Sequence, residues 1–225
     1  ELNATLVDVN ANLDVSGTFT LAGTALTATA AELNLLDDKD ATHLAVPGKF
    51  AGTNFANSLL IGTTTTGTLN AAENNIGIGS DALRDITSGD ANIALGVNAG
   101  RALTTNSYNT FIGRNSGVNA NGSSNVGIGP DSLEGSSFNG AGNMAIGMGS
   151  GANMSSGSYN TMIGNDSGDT ITSGSGNIML GNNVQPNSIT GNRQLKIAGY
   201  DGSTTTTWIS GDSSGNLTFA ANTTI

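Results

Sequence analysis

The stretch Asn160-Thr161-Met162-Ile163-Gly164 is followed, seventeen residues later, by Asn177-Ile178-Met179-Leu180-Gly181. Blocks of this kind occur eight times between residues 58 and 181. Their closing glycines are spaced 17, 17, 17, 16, 18, 17 and 17 residues apart and are Gly62, Gly79, Gly96, Gly113, Gly129, Gly147, Gly164 and Gly181. Seven of the eight blocks open with asparagine, at Asn75, Asn92, Asn109, Asn125, Asn143, Asn160 and Asn177. Self-similarity at a fixed period is the signature of a solenoid.

The pattern inside one repeat predicts what kind of solenoid this is. The residues before each closing glycine alternate as in a β-strand, and the glycine permits a turn. A second polar corner follows about ten residues later, at Ser88-Gly89, Asn121-Gly122, Asn139-Gly140, Ser156-Gly157 and Ser173-Gly174. Each repeat is therefore predicted to be one coil of an all-β, fibrous parallel β-roll or β-helix. Stacked coils would place the seven asparagines in a ladder, where amides bond from coil to coil.

The segment before the repeat, residues 1–57, predicts a shaft or knob. A short helix is expected near residues 30–37, because Thr29 and Glu32 have the spacing of a capping box. Such a helix is too short to be stable alone. The repeat itself is predicted to occupy residues 58–184.

The segment after the repeat, residues 185–225, predicts a β cap or connector. The period is lost after Pro186, and strands are expected at residues 194–198, 206–210 and 216–219. The single tryptophan, Trp208, with Phe219, suits a cap over the last coil.

Composition narrows the class of function. A net charge of −10 with only 7 Lys plus Arg excludes a nucleic-acid partner, because few side chains can neutralise phosphates. There is no cysteine, and we find neither a signal-peptide pattern nor an apolar run of membrane-spanning length. The chain begins at Glu1 without methionine, which suggests a segment of a longer protein. Each coil offers few aliphatic side chains, so a lone roll lacks apolar burial and an obligate oligomer is expected.

Three stretches resemble known families. Residues 30–37, Ala-Ala-Glu-Leu-Asn-Leu-Leu-Asp, resemble a block that recurs in long phage tail fibres, especially of phages that infect marine cyanobacteria. Residues 207–216, Thr-Trp-Ile-Ser-Gly-Asp-Ser-Ser-Gly-Asn, are similar to segments of the same fibres. The Asn-x-x-Ile-Gly coils are similar to head repeats of trimeric autotransporter adhesins, whose heads are left-handed parallel β-rolls of three chains. Those head coils are shorter than the coils here.

These resemblances imply an intertwined homotrimer that attaches to cell surfaces. The function expected is that of a tail fibre segment in the virion, outside the cell. Its partners would be other tail or fibre proteins and a glycan or protein receptor on the host. A trimeric bacterial adhesin head is the alternative, and a polysaccharide-degrading tailspike is the third possibility.

Fragments that suggest metal or phosphate chemistry are better explained as coil corners. Residues 77–81 and 127–131 match part of the calcium-binding nonapeptide pattern, but only two of eight coils do so. Residues 147–151, Gly-Met-Gly-Ser-Gly, lack the helix pattern and the Lys of a phosphate loop. His43 is the only histidine, so a multi-His site within one chain is excluded, while an ion on a three-fold axis stays open. We predict no metal and no cofactor.

No catalytic constellation stands out, and we predict that the chain is not an enzyme. The 17 Asp plus Glu are scattered through loops. Tyr108 and Tyr159 precede the coil asparagine in the same register, three coils apart. They are either outward sugar contacts or packing at the trimer interface, and we favour packing. No ligand-binding residue is assigned.

Overall fold

The computed structural model describes residues 20–21, 24–25, 48–52, 54–62 and 66–220. The chain divides into two units, residues 1–45 and 46–225. In the first unit, β1 (Thr20–Leu21) pairs antiparallel with β2 (Thr24–Ala25). The helix expected near residues 30–37 and His43 lie outside the described residues.

The described part of the second unit is built on one twelve-stranded sheet, whose spatial order follows the chain from β3 to β14. β3 (Gly48–Gly52) pairs antiparallel with β4 (Phe55–Ile61). The strands from β4 to β12 run parallel. They continue with β5 (Ile76–Ile78), β6 (Ile93–Leu95), β7 (Thr110–Ile112), β8 (Val126–Ile128), β9 (Met144–Ile146), β10 (Thr161–Ile163), β11 (Ile178–Leu180) and β12 (Leu195–Tyr200). β13 (Thr205–Gly211) and β14 (Leu217–Phe219) are antiparallel and form the last two strands at one end of the sheet.

Each parallel strand pairs with the strand that lies one repeat further along the chain, at equivalent positions of the repeat. Ile76 lies opposite Ile93, and Ile93 lies opposite Thr110. Each coil therefore contributes one short strand to the same sheet. The solenoid predicted from the seventeen-residue repeat is confirmed, and the described chain is all-β with about eight turns.

The core is filled from two sides of each coil. On the strand side, the middle residue is buried, and this position changes in size from Gly77 to Phe111. On the opposite side, the return segment contributes buried Leu83, Ile86 and Leu103 and their counterparts. Sizes are matched between coils, because a Cβ on Gly127, which lies opposite Phe111 in the next strand, would lie only 2.9 Å from the Phe111 ring. A small residue in one strand therefore makes room for a large side chain of the neighbouring coil.

The return segments lack strands in the described coils but are hydrogen-bonded from coil to coil. Backbone N–H groups of Leu83 and Asp85 donate to the carbonyls of Ala99 and Arg101 at 3.1 and 3.0 Å. Within each coil, short turns add bonds such as Ile86 N–H to the Leu83 carbonyl at 3.2 Å. The backbone is thus paired on both sides of the solenoid, as burial requires.

Coil length varies only in the return segment. In the five coils with a glycine at the second corner, the closing glycine follows seven positions later, as from Gly122 to Gly129 and from Gly140 to Gly147. The second-corner glycine lies nine positions after Gly113 and eleven positions after Gly129, against ten positions after the closing glycine in the other coils that have one. A parallel bridge between Ala120 and Phe138 joins these two unusual segments.

The solenoid extends further than the repeat pattern predicts. The pattern suggests an end near residue 184, whereas β12 continues the parallel sheet in register, with Ile197 opposite Leu180. Lys196 takes the middle position opposite Met179, and burial lowers the pKa of its ammonium group. Leu195 and Ile197 keep the aliphatic positions of the block, whereas Gln194 and Ala198 stand in place of its Asn and Gly.

Candidate functional site

The seven coil asparagines form a continuous buried ladder. The Oδ1 of Asn75 accepts bonds from the backbone N–H and the Nδ2 of Asn92, both at 3.0 Å. The Oδ1 of Asn92 accepts the same two bonds from Asn109. The arrangement continues through Asn125, Asn143 and Asn160 to Asn177. Each amide therefore ties the start of one strand to the start of the next.

Most ladder asparagines also tie the strand to the second corner. Asn75 Nδ2 donates to the Gly89 carbonyl at 2.8 Å, and Asn160 Nδ2 donates to the Gly174 carbonyl at 2.9 Å. Equivalent bonds are made by Asn92, Asn125, Asn143 and Asn177. One side chain thus fixes the distance across a coil as well as the spacing between coils.

Two ladder members were missed because they are not asparagine. Ser58 Oγ accepts the backbone N–H of Asn75 at 2.8 Å. At the other end, Gln194 N–H donates to Asn177 Oδ1 at 2.8 Å. Each lies seventeen residues from its neighbour, so the period itself was the signal that would have found them.

The closing glycines are required by the stacking of one coil on the next. From Gly79 to Gly181 they have φ between +125° and +136°. A Cβ on Gly129 would lie 2.6 Å from the carbonyl carbon of Gly147. Both the conformation and the close backbone approach therefore exclude larger residues at this corner.

The outward residues of the parallel strands form an apolar face, here called the apolar stripe. Sequence reasoning predicted the alternation but did not assign which set is buried. In the structure the middle residue is buried and its two neighbours point outward, and none of these neighbours in β5–β11 is charged. The stripe consists of Ile76, Ile78, Ile93, Leu95, Thr110, Ile112, Val126, Ile128, Met144, Ile146, Thr161, Ile163, Ile178 and Leu180.

Several stripe residues are substantially exposed in the single chain. Ile78 and Ile178, at opposite ends, are 42% and 41% exposed. Ile76, Ile93, Met144 and Ile163 have similar exposure. A surface of this kind, apolar at twelve of its fourteen positions, marks an interaction site rather than ordinary scattered exposure.

The residue before each ladder asparagine adopts a left-handed conformation, which the sequence did not predict. Tyr108 and Tyr159 occupy this position with φ of 63° and 59° and are 68% and 74% exposed. The Tyr159 ring covers Gly142 of the preceding coil, where a Cβ would lie 2.8 Å from the ring. Neither tyrosine contributes to the buried core of its own chain, so both are available to an outside contact.

The acids of the calcium-like fragments have partners within the protein. Asp81 lies 3.6 Å from Arg84, and Asp131 accepts bonds from Arg114 and from Asn115 Nδ2. Both acids occupy the left-handed corner position two residues after a closing glycine. Across the described ranges, no three His, Asp or Glu side chains are grouped to hold a metal ion.

A polar groove lies over the return segments of irregular length. It has a volume of about 430 Å³ and is lined by Ala102, Thr104, Asn119, Asn121, Ser136, Ser137 and Asn139. Asn119 Nδ2 is held by the Glu134 carbonyl at 3.1 Å. The groove offers hydroxyl and amide groups but no charge.

Comparison with protein-family models, curated proteins and solved structures finds no match to this chain. The part of the chain that the structure describes holds no helix of the length and hydropathy needed to cross a membrane.

Proposed function

We propose that this chain is a structural and adhesive segment of a homotrimeric phage tail fibre, located in the virion and attached to the host surface. The observation that carries the proposal is the apolar stripe, which follows the parallel sheet from β5 to β11. Its aliphatic side chains would be removed from water if identical chains packed stripe to stripe about a common axis.

Three features of the stripe favour copies of the same chain as its occupant. It lacks charged side chains, it repeats once per coil, and it runs with the parallel strands rather than forming a local patch. A partner with the same rise per coil matches such a surface along its whole length. The resemblance to tail fibres and adhesin heads supports three chains.

The ladder gives this assembly its mechanical role. Amide bonds across every coil resist sliding and bending, so attachment forces pass along a stiff rod. Identical outward surfaces on three chains multiply weak contacts with a host glycan or protein receptor. Other tail or fibre proteins would join at the ends of the segment. Catalysis and cofactors have no part in this proposal.

The first test is the native mass of the purified chain, measured by light scattering. A trimer has a mass of about 67 kDa, three times the 22.4 kDa of the chain. A folded monomer would contradict the proposal. If the trimer forms, labelled protein is expected to bind host cells saturably, and no saturable binding would refute the adhesive role.

A further inference from the structure

The hairpin of β12 and β13 contains a bulge at a position that matters for recognition. Ile197 lies opposite Ile209, but Ala198 lies opposite Thr207, which leaves Trp208 as the extra residue. The parallel partner β11 pairs with β12 only as far as Ile197. The hairpin beyond the bulge therefore extends past the parallel sheet, and bulges of this kind re-aim side chains beside binding sites.

The Trp208 indole lies across the hairpin against the backbone of Gly199, where a side chain would leave no room for the ring. A Cβ on Gly199 would lie 2.6 Å from Cζ2 and 2.8 Å from Cη2 of the indole. The six-membered ring therefore rests on the Gly199 backbone. Trp208 is nevertheless 54% exposed, so a large part of the indole faces solvent. An indole that rests on backbone and faces solvent is an exposed aromatic platform.

Polar groups surround this platform. A cleft of about 370 Å³ is lined by Gly199, Tyr200, Asp201, Thr204, Thr206 and Trp208. Asp201 Oδ1 accepts the backbone N–H groups of Ser203 and Thr204 at 2.9 and 2.8 Å, which fixes the carboxylate at the hairpin turn. The bond from Thr204, followed by that from Ser203, lowers the pKa of Asp201, so the acid is an ionised acceptor at neutral pH.

We infer that the Trp208 cleft binds a neutral pyranoside unit of a glycan. The C–H face of a pyranose packs on an exposed indole, and its hydroxyls donate to a fixed carboxylate and exchange hydrogen bonds with threonine hydroxyls. Anionic sugars are disfavoured, because Asp201 faces the cleft and the chain carries a net charge of −10. This inference rests on the proposed attachment function and names the receptor chemistry at one place.

The test uses the protein's own reporter, since Trp208 is the only tryptophan. Methyl glycosides of glucose, galactose, mannose and N-acetylglucosamine are titrated to about 100 mM while the emission of the full chain is followed. At least one glycoside is expected to give a saturable change with a Kd of about 1–10 mM, as suits a single shallow subsite.

Two variants keep the reporter while changing the site. Gly199→Ala displaces the indole from its seat and is expected to weaken the responding sugar at least tenfold. Asp201→Asn retains an acceptor oxygen for the turn but removes the charge, and is expected to weaken binding several-fold. Tyr159→Ala, an exposed aromatic outside the cleft, serves as the control and should leave the response unchanged.

The inference is overturned if no glycoside gives a saturable change, or if both cleft variants respond as the wild type does. It is also overturned if the emission follows protein concentration and ignores sugar, because Trp208 would then lie between chains. Light scattering separates this result from failure of the proposed function. A trimer that gives no sugar response would refute sugar binding at the Trp208 cleft alone. A monomer would refute the proposal of a trimeric fibre.

Discussion

Asn109 Oδ1 accepts two hydrogen bonds from Asn125 on the next coil, one from the backbone N–H at 3.0 Å and one from Nδ2 at 3.3 Å. These residues are 16 apart in sequence, whereas Asn125 and Asn143, 18 apart, make the same pair of bonds at 3.0 and 3.1 Å. The ladder therefore keeps its geometry when the coil length changes, and the amide bonds rather than the number of residues set the register.

Loss of one ladder amide is expected to destabilise the solenoid strongly. Asn109→Ala leaves the buried N–H of Asn125 without its acceptor and removes one of the two bonds to Asn92 Oδ1, which costs about 2–4 kcal/mol. The measurement is the midpoint of thermal unfolding by circular dichroism. Asn153→Ala is the matched control, because Asn153 is exposed and its Nδ2 makes one bond, to the Asp169 carbonyl. Equal effects of the two variants would show that the ladder is not a source of stability.

The closing glycines are expected to be intolerant for two separable reasons. Gly129→Ala meets both a left-handed φ of +127° and the backbone of Gly147 at 2.6 Å. Gly202→Ala meets a left-handed φ of +97° with nothing within 4 Å. The Gly202 variant should cost about 1 kcal/mol and the Gly129 variant clearly more. Denaturant midpoints of both variants measure the difference, and a Gly129 effect no larger than that of Gly202 would contradict the stacking argument.

The stripe is expected to control assembly rather than the fold of one chain. Ile78→Thr with Ile163→Thr keeps β-branched side chains in the strands but reduces the apolar surface, so the oligomer should dissociate at higher protein concentration. Light scattering on dilution gives the dissociation midpoint, and circular dichroism checks the strands. Ile189→Thr changes a 49% exposed isoleucine in a return segment and should leave the midpoint unchanged. An equal effect of this control would mean that the stripe is not the interface.

Asp169 gives a pH dependence with a definite sign. Burial raises the pKa of its carboxyl above the ordinary 3.8, and its Oδ1 is buried without a hydrogen-bond partner among the described residues. The folded state thus favours the protonated acid, and stability falls as pH rises above 3.8. Asp169→Asn is expected to raise the melting midpoint by about 1–3 °C at pH 7 and by less at pH 3.

Asp212 is the control of opposite sign for this experiment. The Asn216 side chain, followed by the Asn216 backbone, lowers the pKa of Asp212, so its contribution is present at neutral pH and is lost as pH falls. Asp212→Asn should therefore lower the midpoint at pH 7 and have little effect at pH 3. If both variants shift the midpoint in the same direction with pH, the assignment of these two groups is wrong.

The coil could be predicted from the sequence because its parts recur. Asparagine, alternation and glycine return in each block, and a feature repeated eight times is visible without any structure. Which strand residue points into the core was harder to predict from the sequence. The buried middle residues, such as Gly77, Phe111 and Met162, share no side-chain property and are matched in size to neighbours in other coils. The backbone at Tyr108 was not predictable, because tyrosine has no preference for a left-handed conformation. The Trp208 cleft depends on a bulge that leaves no sequence pattern.

The constant seven-residue arc from the second corner to the closing glycine has a consequence for how such a chain changes over time. The arc contains the ladder asparagine and the strand, whereas the return segment absorbs a gain or loss of one residue, as the coils ending at Gly129 and Gly147 show. Insertions on one side of the solenoid therefore leave the alignment of all later coils intact. The solenoid is thus divided lengthwise into an arc of constant length and an arc that accommodates changes of length, and the polar groove lies on the second arc.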